Sequence, residues 1–126
     1  MNKKQIDKYI PRAYELLIES GIAENGKVPN TFRAYISSFG AAVIMGSLNA
    51  AIAFYSEQGS AKSDRPRLID IIYSLVSDQP YKKGGGKALI SYVEQSKSRT
   101  AAKESIYNAA LAIKLAISMF TIDKEK

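Results

Sequence analysis

Residues 34–56, AYISSFGAAVIMGSLNAAIAFYS, run for twenty-three residues without a charged side chain, between Arg33 and Glu57. As one helix the stretch would span roughly 34 Å at the α-helical rise, enough to cross a hydrocarbon core of about 30 Å. Its composition points elsewhere. Phe32, Ile36, Phe39 and Val43 recur at helical spacing as one stripe opposite Arg33, Ser37 and Ser38, so the first half is amphipathic. Beyond Gly40 the apolar residues Ile44, Met45, Leu48, Ile52 and Phe54 surround the axis, interrupted by Gly46, Ser47 and Asn49. Such richness in Ala, Ser and Gly belongs to a helix closely packed by neighbouring helices. The stretch predicts a buried central helix rather than a membrane span. Gly40 and Gly46 either admit a neighbouring backbone or divide the segment into two helices.

The flanking sequence is helical on both sides. Ile6, Tyr9, Ile10, Ala13 and Leu17 follow a spacing of three and four, which predicts an amphipathic helix ended by Gly21. Pro11 either kinks that helix or opens its main part. NGKVPN (25–30) reads as a loop, with Asn30 or Thr31 suited to cap the next helix. EQGSAKSDRPR (57–67) is a polar loop, after which Pro66 fits the first turn of a helix carrying Leu68, Ile69, Ile72, Leu75 and Val76. A second loop, SDQPYKKGGGK (77–87), leads into a helix over about Gly86 to Lys97. Ser98 or Thr100 can cap the last helix, whose stripe Ile106, Ala110, Ile113, Ile117, Phe120 is flanked by Leu111, Leu115, Met119 and Ile122, so most of its girth should be buried. Period-two alternation is absent, and no strand is predicted. The expected fold is all-α, a compact bundle of five to six helices forming a single domain over residues 1–126.

The chain has no Cys and no His. Disulfides, zinc sites and Cys-His or Ser-His-Asp nucleophiles are therefore excluded, and no enzymatic activity, metal or cofactor is expected. Glu15 and Glu19 share a helix face, where a solvated surface is the expected reading. GGGKA (84–88) invites comparison with a phosphate-binding loop, but Tyr81 stands where the first Gly of that pattern belongs and Ala88 replaces its hydroxyl residue. What remains is a flexible basic loop. The opening MNKKQIDKYI has no apolar core of a secretory signal, so a cytoplasmic location is expected.

Net charge is +6, and +5 of it lies between Lys62 and Lys103, where nine basic residues face four acidic ones. An excess of this kind suits a polyanionic partner, because phosphate contacts ask only for positive charge and donors. Lys82, Lys83 and Lys87 cluster around the glycines, with Tyr81 beside them as a candidate to stack on a base.

From Ser37 to Gln58, SSFGAAVIMGSLNAAIAFYSEQ, the chain resembles the small subunit of the type III-B CRISPR effector, the Cmr complex. Ile52-Ala53-Phe54 corresponds to the family's Leu-Ala-Phe end, with Leu48 in the leucine place of its Asn-Gly-Leu-Gly motif; Gly40 stands where the family has Pro, and Gly46 and Ser47 where it has Asn and Gly. Length, helix order, the polar loop after Phe54 and the long apolar C-terminal helix extend the similarity over nearly the whole chain. The resemblance implies a non-catalytic helical subunit of an antiviral complex, stacking in several copies beside other effector subunits and helping to hold guide and target RNA. Sequence is read in such a complex by guide pairing, so the protein needs backbone contacts only. Charge places those contacts first at Lys82, Lys83, Lys87, Lys97, Arg99 and Lys103, and second at Lys62, Arg65, Arg67 and Arg33.

Overall fold

A computed structural model describes residues 2–57 and 65–124. Among them the chain forms six helices and two short strands: α1 (Lys3–Glu19), β1 (Lys27–Pro29), α2 (Asn30–Met45), α3 (Leu48–Ser56), α4 (Arg65–Ser77), α5 (Gly85–Gln95), α6 (Arg99–Ile117) and β2 (Thr121–Asp123). The all-α expectation holds except for the strands.

The uncharged stretch divides at Gly46-Ser47. Gly46 is extended, and the Ser47 hydroxyl accepts from the Ala50 N–H at 3.3 Å, capping α3. Gly40 stays helical inside α2, near the Tyr107 ring. The stripe Phe32, Ile36, Phe39 and Val43 is buried as its spacing predicts. The second half is less buried than expected: Met45 is 85% exposed, and Ile44 and Phe54 are about half exposed. Ile44 and Met45 border the space between α2 and α6, and Phe54 lies beside Arg65 of α4. No helix among the described residues is long and apolar enough to cross a membrane.

In α1 the Asn2 side chain accepts from the Gln5 N–H, and Pro11 lies within the helix, where it offers no N–H to the Asp7 carbonyl. Gly21 ends the helix in the left-handed region at φ +83°. A partly buried polar network then ties α1 to α6. Asn108, wholly buried, donates to Gln5 Oε1 at 2.6 Å and accepts from the Asn2 N–H, while Gln5 Nε2 donates to Tyr9 and Ser105.

Strands were not expected. Asn25 and Gly26, both at positive φ, make a tight turn in which Glu24 and Lys27 exchange backbone hydrogen bonds. Lys27–Pro29 then pairs in parallel with Thr121–Asp123, Val28 opposite Ile122. Three residues are too few to show alternation, which is why the pattern gave no sign of them.

Ser98, not Thr100, caps α6 by accepting from the Ala101 N–H at 3.1 Å. The stripe Ile106, Ala110, Ile113 and Ile117 is buried, but Leu115 and Met119 are exposed, so α6 buries less of its girth than expected. One apolar cluster collects residues from all six helices and Val28 of β1.

Candidate nucleic-acid interface

The lysine loop between α4 and α5 is fastened from α4. Asp70 and Ser74 lie four residues apart on one face of that helix, and they are two of the four buried polar residues among those described. The Ser74 hydroxyl donates to the Gln79 carbonyl, just after Asp78 leaves the helix at φ +56°. At the far end of the loop the Asp70 carboxylate accepts from the Gly85 N–H at 2.6 Å. Gly85 opens α5, so a carboxylate sits where the helix dipole favours one. Burial pushes the Asp70 carboxyl above its ordinary value, against the smaller opposing pull of the Gly85 N–H and the Lys83 ammonium.

Close packing explains the glycines. A Cβ on Gly85 would lie 2.9 Å from Asp70 Oδ1, and one on Gly86 would clash with Ser56 Oγ and lie 2.8 Å from Ser56 Cβ. Gly84 caps α5 in the left-handed region at φ +81°. The triple glycine is thus a joint where α5 meets α3 and α4, in place of the flexible loop expected. Its helix N-terminus is also already occupied by Asp70, which opposes a phosphate at that position.

Lys82, Lys83 and Lys87 are exposed around this joint. Lys82 and Lys83 border a concavity of about 420 Å³ whose walls include Tyr73, Pro80 and Tyr81. Tyr81, expected as a base-stacking side chain, is half-buried against the core with its hydroxyl inside the protein, so its ring is part of the wall. The remaining basic residues are dispersed. Lys97 and Arg99 lie past the C-terminal end of α5, about 16 Å from its start by helical rise. Both are exposed, with Arg99 3.6 Å from Glu94, and Lys103 is partly buried one turn into α6. Arg65 lies over the Phe54 ring, 5.0 Å from its centroid. Arg67 borders a separate polar concavity of about 380 Å³ with Gly21, Lys27 and Asp123. Arg33 is exposed on α2, and Lys62 lies outside the described residues.

Glu15 and Glu19 converge on Arg12, at 3.2 and 2.5 Å, as a surface ion-pair group. Among the described residues no group of three or more acidic side chains is placed to hold a metal ion.

Sequence reasoning missed an apolar groove between α2 and α6. It has a volume of about 290 Å³ and is bordered by Gly40, Ile44, Met45, Tyr107, Leu111 and Lys114. The only signal for it was the excess of apolar residues on both helices over what one core-facing stripe requires. Compared with family models, curated proteins and solved structures, the chain matches none.

Proposed function

We propose that the chain is a cytoplasmic, non-catalytic small subunit of a type III-B CRISPR effector (Cmr) complex. It binds the backbone of guide and target RNA through the lysine loop and packs against other effector subunits and further copies of itself. The observation that carries this reading is the joint itself: three exposed lysines are held at the start of α5 by a loop fastened at both ends, from Ser74 and from Asp70. Lysines offer charge without base-reading geometry, as a sequence-indifferent backbone contact requires. The resemblance between Ser37 and Gln58 supplies the choice of complex.

Titration of the purified chain with a fluorescent 40-nucleotide single-stranded RNA across a salt series tests it. Backbone contact predicts affinity that falls steeply with salt.

A second reading, a purely structural scaffold subunit without RNA contact, is favoured by the apolar groove between α2 and α6. It predicts no RNA affinity at low salt. The small subunit of the related type III-A complex is the corresponding alternative within RNA-guided effectors.

A further inference from the structure

Between α4 and α5 the lysine loop encloses more than a charged surface. The concavity of about 420 Å³ beside Lys82 and Lys83 has walls of Tyr73, Pro80, Tyr81 and Ala88, so carbon forms most of its lining. That volume falls in the usual range for small-molecule pockets, about 300–1,000 Å³. It exceeds the polar concavity at Arg67, about 380 Å³, and the groove between α2 and α6, about 290 Å³. Those two differ in charge as well. Glu24 and Asp123 stand among the cations at Arg67, and the groove has Lys114 alone. At the lysine loop two adjacent ammonium groups flank apolar walls, and no carboxylate is among the described residues that line the space. Asp70 lies behind Gly85, buried and engaged by its N–H.

The concavity is built before any ligand arrives. Ser74 holds the loop at Gln79, Asp70 holds it at Gly85, and the Tyr81 hydroxyl lies inside the protein. A preformed cavity loses little conformational freedom on binding. A strand held by its phosphates alone needs charge and donors, and it has no use for an apolar recess beside them. An anion that carries a flat, largely apolar body uses both, and a nucleotide is such an anion. The exposed Gln79 side chain, which also lines the space, offers a donor and an acceptor together and so suits more than one base. We infer that the concavity receives one unpaired base of the bound RNA, with an adjoining phosphate on Lys82 and Lys83 at its rim. This inference rests on the RNA-binding reading above and adds to it a contact with a base that does not select sequence.

Ala88→Leu fills the concavity from α5 without changing charge. The test compares the full chain with this variant, using the 40-nucleotide RNA and, separately, inorganic polyphosphate as a base-free polyanion. Base insertion predicts RNA affinity lower by about fivefold or more in Ala88→Leu. Polyphosphate affinity stays at its wild-type value, because both lysines remain. A second measurement needs no variant: adenosine monophosphate titrated into the wild-type chain should shift the backbone amide resonances of Gly84, Gly85 and Ala88, and ribose 5-phosphate at the same concentrations should not. Unchanged RNA affinity in Ala88→Leu overturns base insertion and leaves the lysine contact standing. Equal loss for both polyanions also overturns it, as do equal shifts from adenosine monophosphate and ribose 5-phosphate. A wild-type chain that binds no RNA overturns base insertion and the RNA reading together.

Discussion

The buried carboxylate of Asp70 accepts a hydrogen bond from the backbone N–H of Gly85 at 2.6 Å, across the joint where α4 meets the first turn of α5. Removing the acceptor leaves a buried donor without a partner. Asp70→Ala should therefore cost about 1–3 kcal/mol in denaturant unfolding, well beyond the effect of an ordinary surface substitution.

The same carboxylate gives a signed pH dependence. Burial raises its pKa in the folded state, so between the unfolded value and the folded one the native chain binds more protons than the unfolded chain. Stability contributed by this group is present at low pH and declines as pH rises through that window. Unfolding free energies measured from pH 3 to 7 should show the decline in wild type relative to Asp70→Asn. The difference between the two proteins isolates Asp70 from the other carboxylates.

The Gly86 contact predicts a specific rescue. Gly86→Ala places a methyl group against both Oγ and Cβ of Ser56, an overpacking worth about 1–3 kcal/mol. Ser56→Ala removes the nearer contact, Oγ, but leaves Cβ in place, so it should recover less of the loss than Ser56→Gly, which removes both. Thermal melts of the two double variants decide it.

Exposed Met45 separates folding from assembly. Met45→Glu should change stability by no more than about 0.5 kcal/mol, because the side chain is almost fully in solvent. If the groove between α2 and α6 packs against other subunits, the same substitution should abolish that association in analytical ultracentrifugation of the mixed components.

These outcomes depend on features of very different legibility. The buried stripe Phe32, Ile36, Phe39, Val43 could be read directly, because helical periodicity is local. So could Ser98 as one of two caps, and the exposure of lysines in a Gly-rich loop. The sequence leaves the break at Gly46-Ser47 open, since a glycine within a helical pattern can be either tolerated or terminal, and the Ser47 cap decides it. The exposure of Leu115 and Met119 was not legible: whether an apolar side chain is covered depends on which helix lies beside it. The triple glycine is the clearest case. Its meaning depends on Asp70 and Ser56, fifteen and thirty residues earlier in the chain, and nothing in the local sequence signals a packing joint.

The proposed RNA-backbone contact is made by Lys82, Lys83 and Lys87. Replacing all three by Gln removes their charge and leaves the Asp70–Gly85 joint untouched. The most direct measurement is the slope of log affinity against log salt for single-stranded RNA, in wild type and in this triple variant. Three lost phosphate contacts on a single strand predict weaker binding and a slope shallower by about 2. Equal slopes and equal affinities in the two proteins would mean that these lysines do not contact RNA.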